Sequence, residues 1–576
     1  MYEKRSPTLV SACAALLLLT AGCAQDRSEP ASAVLETGPQ SGGRLVYGLR
    51  AEPQTLNPVT AVHRPSITVV QMLGASLVDR DRESHELKPH LASSVEVAAD
   101  GRTFKIQLPE NVRFSDGEPL DADDVVFTLT VHADENVGSA QRAYLAPNGE
   151  PPLVRRVGDY EVELVLAVPS SAGLAVLDDL VILPEHRLAA AWNEGRLAEM
   201  WSLKTPASEV VGLGPFRMRE HVPGERLVVE KNPHYWRQDA DGNSLPYLDE
   251  LVFLSVPDEE ALILRLQSGE IHLADQLSGD NYAAIEQRPG PNALHDLGPG
   301  FELTFFFFNQ NDGAQGDAAR RQAWFRDSLF RRAVSSAIDR EGMAQLVYND
   351  RATPTIAHMP TTNKRWANTT IERPVRSLEK ARELLTEAGF RWDDEGQLLD
   401  VEGGRVAWTL MTNASNSKRV AMTAMIQEDL RELGMHVDVV ALEFRSMVAR
   451  LTDTYDYDAC LLGLFGDIDP NHFSNLWPSG GGNHFWRLRG EVVNDWQTEV
   501  DRLMAEQATA LDHSTRKSLY DRVQQIVAEQ QPLTLLVSPN VLVAARQDLG
   551  NFRPSVLEHQ VLWNVDELYW PGGSAR

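Results

Sequence analysis

Cysteine is almost absent from this chain, which has only three in 576 residues. Cys13 and Cys23 fall within the first 23 residues, so Cys460 is the only cysteine of the remaining chain. A disulfide needs two thiols, so none can form within the chain once the N-terminal segment is removed. We therefore expect the folded part to be stabilised by its hydrophobic cores, for which 43% hydrophobic residues suffice.

Positive charge is also scarce. The chain has 54 Lys and Arg against 82 Asp and Glu, which gives a net charge of −28. A surface of this charge repels phosphate backbones and excludes nucleic acid as a partner. Solubility alone is a sufficient explanation of the charge. If the protein binds a solute, the charge would also favour cationic ligands, though weakly in salt.

The common catalytic motifs are missing. The sequence contains no G-x-S-x-G, no G-x-x-x-x-G-K-[ST], no H-E-x-x-H and no C-x-x-C. The S-x-x-K spacing occurs at Ser377 and Ser514, and we interpret both serines as helix caps because the S-D-N and K-T-G partner motifs are absent. His472 and His484 lie in a Gly-rich stretch and are interpreted as ordinary loop residues. We expect no enzyme, no metal site and no cofactor.

The N-terminus has the features of a bacterial export signal. Lys4 and Arg5 precede an apolar run over 9–19, which is shorter than the about 20 residues that span a bilayer. The sequence that ends at Cys23 resembles a lipobox, which implies that 1–23 is a signal peptide and that Cys23 is lipidated. A plain cleaved signal is the alternative. The Ser-, Pro- and Gly-rich stretch 24–42 predicts a flexible tether to a bacterial membrane.

The remaining chain alternates strand-like and helix-like segments, which predicts an α/β fold. Helical periodicity covers 259–268, 325–338, 378–388, 419–433 and 514–529, and a further helix begins at Asp121 as its N-cap. Apolar or alternating runs predict strands over 44–49, 103–108, 160–168, 251–256, 302–308, 437–441 and 533–537. This pattern alone names no function.

Short motifs in a fixed order resemble the family-5 extracellular solute-binding proteins of bacterial ABC importers, the peptide- and nickel-binding family. The resemblance extends from residue 42 to the C-terminus. The motifs are GGRL (42–45), EPQTLNP (52–58), LKPHLA (87–92), DGRTF (100–104), VRFSDG (112–117), ADDVVF (122–127), GLGPF (212–216), NPHYW (232–236), LQSGEI (266–271), AIDR (337–340) and LLTEAG (384–389).

This resemblance implies a two-lobed periplasmic-binding-protein fold, type II and cluster C-like, with an extra domain inserted beside the first lobe. Carried over, lobe I comprises 43–66, 206–300 and 533–576. The extra domain comprises 67–205, and lobe II comprises 301–532. The ligand would be trapped between the lobes by a hinge motion.

The resemblance also implies ligand-binding residues. Asp467 matches the family's ammonium-binding aspartate and follows Gly463 and Phe465, while the usual Trp of this segment is Leu464. A turn cap is the alternative role for Asp467. The arginine that binds the carboxylate in dipeptide binders corresponds to Asn413, which cannot neutralise a carboxylate. Lys418 and Arg419 are nearby and are interpreted as surface residues. Glu52 and Phe306 complete the candidate set.

The resemblance implies a monomeric, extracytoplasmic binding subunit that delivers its solute to an ABC permease. Because Asn413 stands in the arginine position, we expect an oligopeptide rather than a dipeptide. The alternatives are another solute, such as a sugar, an opine or a nickel chelate, and a secreted enzyme or a receptor without a transporter.

Overall fold

The computed structural model describes residues 38–573 except 147, 179, 374 and 489–493. The predicted signal peptide with Cys13 and Cys23, and most of the predicted tether, lie outside the described residues. The backbone N–H of Gly42 donates to the carbonyl oxygen of Tyr247 at 2.7 Å, which attaches the start of the described chain to the folded part.

The described residues form twenty strands. In chain order they are β1 Arg44–Leu49, β2 Val78–Arg80, β3 Leu87–Pro89, β4 Ser94–Val97, β5 Thr103–Gln107, β6 Leu153–Gly158, β7 Glu161–Val165, β8 Phe216–Val222, β9 Arg226–Lys231, β10 Glu250–Ser255, β11 Leu273–Ala274, β12 Asn292–Pro299, β13 Glu302–Phe308, β14 Ala352–Pro354, β15 Arg391–Trp392, β16 Leu398–Leu399, β17 Ala407–Asn413, β18 His436–Leu442, β19 Ala459–Phe465 and β20 Thr534–Arg546.

Fourteen α-helices accompany these strands in the described chain. They are α1 Arg64–Leu73, α2 Ala122–Ala133, α3 Arg142–Leu145, α4 Glu185–Asn193, α5 Glu259–Ser268, α6 Gly279–Gln287, α7 Gly316–Arg326, α8 Ser328–Ala337, α9 Arg340–Tyr348, α10 Leu378–Glu387, α11 Ser417–Arg431, α12 Phe444–Ala449, α13 Asp495–Thr509 and α14 His513–Gln530. Short 3-10 turns include Pro470–Asn475 and Val565–Glu567, and Arg450–Thr454 is a π-helical turn. The mixed α/β prediction is confirmed.

The largest sheet has two halves that meet along β20. Its order is β18-β17-β19-β13-β20-β11-β1-β10-β9-β8, and β12 and β14 also pair with β20. The first half of β20 pairs with β13 and β14, and the second half pairs with β11 and β12. One long strand therefore belongs to both halves. The C-terminal segment 533–576, which was predicted to belong to lobe I, begins one residue before β20, so it includes the part of β20 that pairs with β13.

The four consecutive phenylalanines of β13 explain why this sheet is strongly apolar. Phe305 and Phe307 point into one hydrophobic cluster, and Phe306 and Phe308 point into another on the opposite face. All four side chains are buried. A strand covered by helices on both faces reads as a continuous apolar run rather than an alternating one.

The region 75–213 has a hydrophobic core of its own. A four-stranded sheet of order β4-β5-β7-β6 packs against α2, and the buried cluster contains Phe104, Phe114 and Leu164. Asp121 caps α2 and forms a reciprocal capping box with Asp124, which confirms the helix start expected at this aspartate. This region overlaps the segment 67–205 that the sequence analysis assigned to an extra domain, and the division into domains stays a prediction.

Two local predictions need correction. The helix expected over 325–338 is interrupted, because Asp327 ends α7 and caps α8 with its side chain. Ser377 caps α10 as expected, but Ser514 does not cap α14. Asp512 does so instead, accepting the backbone N–H of Thr515 at 2.8 Å. The carboxylate of Asp512, two residues before Ser514, takes the capping position instead of the serine hydroxyl.

Among the helices in the described part of the chain, none is both long and apolar enough to cross a membrane.

Candidate functional site

A cavity of about 800 Å³ lies where the two halves of the large sheet meet. We call it the cleft. Its walls include five segments that are far apart in sequence: residues 300–302 before and at the start of β13, 416–419 at the start of α11, 465–468 at and after the end of β19, 539–542 in β20, and 556–560 near the C-terminus. Only the tertiary fold brings these segments together.

Asp467 lines the cleft on the loop after β19. Its side chain is 51% exposed, and one carboxylate oxygen is 3.8 Å from Nδ1 of His472. The other oxygen accepts the backbone N–H of Ile468. The backbone N–H of Gly466 donates to the carbonyl oxygen of Phe301 at 2.8 Å, which fixes this loop to β13. Asp467 therefore presents an accessible carboxylate to the cleft.

Arg419 also lines the cleft, so its interpretation as a surface residue was wrong. Its Nη1 donates to Oδ1 of Asn413 at 3.2 Å. A Cβ atom at Gly463 would overlap the Arg419 guanidinium and lie 3.0 Å from the carbonyl oxygen of Leu303. Two of the predicted ligand residues, Asn413 and Gly463, are thus neighbours of Arg419, a cation that the sequence analysis assigned to the surface. Neither of them is on the cleft wall itself.

Lys418 is the second cation of this wall. Its Nζ lies 4.6 Å from the ring centroid of Tyr348, a cation–π arrangement. Within the described chain, no carboxylate lies within 4.0 Å of Lys418 or Arg419. Glu302 faces the same cavity, and burial raises the pKa of its carboxyl, an effect that Arg419 and Lys418 oppose. The wall keeps two positive charges without a direct ion-pair partner.

Phe465 places an apolar surface among these charges. Its side chain is 73% exposed and lines the cleft, as expected of a ligand-binding residue. Leu464, which stands in place of the family's usual Trp, points away and packs against the cluster that contains Phe305 and Phe307. The replacement of the family's usual Trp by Leu464 therefore affects the packing of the hydrophobic core under the cleft and not the cleft surface.

Two predicted ligand residues lie elsewhere. Glu52 accepts the backbone N–H of Gly224 at 3.0 Å and pairs with Nε2 of His221 at 2.7 Å. The His221 hydrogen bond, followed by the Gly224 N–H, lowers the pKa of Glu52. Phe306 is buried in a core cluster because its strand is covered on both faces. We correct both: Glu52 holds a loop against the β8–β9 turn, and Phe306 is a core residue.

Three further arginines, Arg64, Arg80 and Arg82, also line the cleft. Arg64 bonds Asp275 at 3.1 Å, and Arg80 bonds Asp178 at 2.7 Å. Arg82 has a weaker arrangement, because its nearest carboxylate oxygen, on Asp79, is 3.7 Å away.

The two histidines of the Gly-rich stretch do not form a pair. His484 is buried with its ring tilted against that of Trp486, and burial lowers the pKa of His484 to about 4. His472 accompanies Asp467, with Nε2 at 3.1 Å from the carbonyl oxygen of Phe465. Within the described residues, no group of three or more His, Cys, Asp or Glu side chains is placed to hold a metal ion.

The missed residues leave only weak signals in the sequence. Asn413 ends β17 and Arg419 lies in the first turn of α11, while Gly463 on β19 has no side chain where the guanidinium passes. The role of Arg419 can therefore be inferred only when the contact between β19 and α11 is known.

Comparison with known proteins places the chain in a family. Residues 86–485 match the bacterial extracellular solute-binding proteins of family 5. The oligopeptide-binding protein AppA of Bacillus subtilis (strain 168) is 26% identical over 561 residues, which cover 96% of each chain.

Solved structures agree with this match. The structure of Bacillus subtilis AppA in complex with a nonapeptide aligns with a TM-score of 0.64 and 25% identity, over 93% of this chain and all of that one. The substrate-binding protein CtaP of Listeria monocytogenes aligns with a TM-score of 0.73 and 23% identity, over 92% of this chain and all of that one. The predicted periplasmic-binding-protein fold is confirmed, and the chain belongs to the family-5 bacterial extracellular solute-binding proteins.

Proposed function

We propose that this protein is the extracytoplasmic binding subunit of an ABC importer and that it captures oligopeptides in the cleft. Closure of the two halves around the peptide would present the loaded protein to a permease. The observation that carries the proposal is the opposed charge of the cleft: an accessible carboxylate at Asp467 and two cations without ion-pair partners at Lys418 and Arg419.

A peptide is a zwitterion, and these groups match its ends. Asp467 would accept the α-ammonium group, and Arg419 with Lys418 would bind the C-terminal carboxylate. Charge-assisted hydrogen bonds of this kind are stronger than neutral ones. Arg419, which lies beside Asn413, would thereby supply the cation that is absent at Asn413 itself. The preference for an oligopeptide over a dipeptide then rests on the relatives and no longer on the missing arginine.

The surrounding backbone suits an extended ligand. The cleft is bordered by the start of β13, the end of β19 and the middle of β20. Exposed strand backbone binds peptides by strand addition, in which main-chain hydrogen bonds give affinity independent of the side chains. The cavity of about 800 Å³ lies in the upper part of the usual range for ligand pockets and has room for a short peptide.

The relatives support the same choice. Bacillus subtilis AppA carries the name of an oligopeptide-binding protein, and its structure holds a nonapeptide. Binding without catalysis, a monomeric state, and anchoring through lipidated Cys23 belong to this proposal.

Mass spectrometry of ligands released from the purified protein by denaturation tests the function. We expect peptides of several lengths. Release of a sugar, an opine or a metal chelate, together with no affinity for any peptide in calorimetry, would contradict the proposal.

A further inference from the structure

Arg82 has an unusual environment for an arginine. Its side chain is only 14% exposed, and it makes no hydrogen bond to any residue that the structure describes. Its Nε atom is fully buried without an acceptor. A guanidinium has five N–H donors, and buried donors are almost always satisfied in native proteins. The acceptor for Arg82 is therefore expected to come from outside the chain.

The two neighbouring arginines, unlike Arg82, have hydrogen-bond acceptors within the protein. Arg80 bonds both Asp178 and the carbonyl oxygen of His85, and Arg64 bonds Asp275. Asp79, the nearest carboxylate to Arg82, lies beyond hydrogen-bond distance at 3.7 Å. Its Oδ1 instead accepts the backbone N–H of Arg80 at 2.7 Å. Asp79 thus compensates part of the charge of Arg82 and none of its hydrogen-bonding capacity.

Arg82 stands between two cavities. It lines the cleft and also a side cavity of about 160 Å³ bordered by His559, Trp563 and Asn564. Burial, reinforced by Arg82 and Arg64, lowers the pKa of His559 to about 3, so this histidine is neutral. An extended ligand in the cleft could direct one side chain past Arg82 into this side cavity, which has room for a short polar group.

We propose that Arg82 is a specificity-determining residue that binds a carboxylate of the ligand, so that the protein prefers peptides with an acidic side chain. The planar fork of the guanidinium matches a carboxylate with two parallel hydrogen bonds. A carboxamide would offer an N–H donor to Oδ1 of Asn564, which borders the side cavity and is buried without a partner. It would nevertheless leave the charge of Arg82 only partly compensated. This proposal rests on the proposed peptide-binding function.

The test is competitive capture from a mixture of alanine-based peptides that carry Glu, Gln or Lys at one position, with free or amidated C-termini. Mass spectrometry then gives the ratio of Glu to Gln peptides retained by the protein. We expect enrichment of the Glu peptides by about 10- to 100-fold, the value of a charge-assisted hydrogen bond. Arg82→Met should reduce the ratio to about one, and Arg82→Lys should restore part of it.

The control is Arg431→Gln, which removes one positive charge from the exposed end of α11, remote from the cleft. We expect its Glu-to-Gln ratio to equal that of the wild type. Thermal unfolding gives a second readout. Without ligand, Arg82→Met should unfold at the same temperature as the wild type or higher, since it removes a buried cation that has no hydrogen bond. The stabilisation by Glu peptides should be lost.

The outcomes separate the two proposals. Equal retention of Glu and Gln peptides by the wild type would overturn the role of Arg82 and leave peptide binding intact. A preference that follows the free C-terminus would assign the carboxylate on Arg82 to the chain end instead of the side chain. A ratio unchanged in Arg82→Met, or a lower unfolding temperature of the ligand-free variant, would identify Arg82 as structural. Retention of no peptide would reject the peptide function itself.

Discussion

Asp467 and Asp469 lie two residues apart on the same loop, and their surroundings are opposite. Asp467 points into the cleft, half exposed and without a close cation. Asp469 points into the contact between the regions 75–213 and 301–532. There its two oxygens bond the guanidinium of Arg516 at 2.6 and 2.9 Å.

Arg516 shows what a fully partnered arginine looks like in this protein. Besides Asp469, it donates to Gln507 at 3.0 Å and to the carbonyl oxygen of Ser171 at 3.2 Å, and its guanidinium lies 4.8 Å from the ring centroid of Trp366. By contrast, the Arg419 side chain makes one hydrogen bond, to Asn413, and Arg82 makes none within the described residues. We therefore expect the charges that are paired within the fold to contribute to stability, and the cleft charges that lack an ion-pair partner to contribute to ligand binding.

The largest effect is expected from Asp469→Asn. The substitution keeps the shape but leaves the buried Arg516 charge uncompensated, which should lower the free energy of unfolding by about 3 kcal/mol. Denaturant or thermal unfolding measures this. Asp467→Asn is the matched control, with an expected change of about 0.5 kcal/mol or less because its side chain is half exposed. An equal decrease in the free energy of unfolding in both variants would contradict the different roles of the two aspartates.

Ligand affinity should show the reverse order for the two aspartates. If Asp467 binds the α-ammonium group, Asp467→Asn should weaken binding of a free peptide by about 10- to 100-fold. Calorimetric titration with free and N-acetylated peptide forms a cycle, since the acetylated peptide has no charge to lose. Equal affinities of wild type and variant for the free peptide would leave Asp467 as a turn residue.

A third aspartate sharpens the comparison, because it is buried without a cation. Asp124 accepts backbone N–H groups of Asp121 and Glu185, and burial raises the pKa of Asp124 to about 6. Its folded pKa lies above its unfolded value. The stabilising contribution is therefore complete below about pH 4 and is lost as the pH rises through 6.

The wild type should thus lose on the order of 2 kcal/mol of stability relative to Asp124→Asn between pH 4 and pH 7. Unfolding curves of both proteins across this range give the difference. A constant difference would mean that Asp124 is ionised throughout, with its two N–H donors outweighing burial.

The smallest effect is expected from Gly463→Ala. The added methyl group would displace the Arg419 guanidinium, and we expect about 5-fold weaker binding of peptides with a free carboxylate. Amidated peptides should lose less. Gly480→Ala is the control, since a Cβ at Gly480 meets no atom within 4 Å. If both alanine variants bind like the wild type, Arg419 has no part in carboxylate binding.

Several elements were predictable because their causes are local. The period of 3.6 residues gave α5 its bounds, Glu259–Ser268, and Gly269 ends it in the left-handed conformation. Strand β1 likewise agrees with its prediction. The prediction of β20 stopped at 537, although the strand continues to Arg546. Pro539 and Asn540 look like a break in sequence, and only pairing with β12 and β14 on either side keeps them in a strand.

The sequence by itself determined the family, the α/β fold, the capped helices and the position of Asp467, because these depend on neighbouring residues and on ordered motifs. Only the tertiary structure decided which charges are satisfied. Arg516 donates to the carbonyl oxygen of Ser171, which is 345 residues away in sequence. Arg419 on α11 reaches the cleft because Gly463 on β19 has no side chain in its way. Whether a charge has a partner depends on which segments pack against it. That is fixed by long-range burial, and no local pattern encodes it.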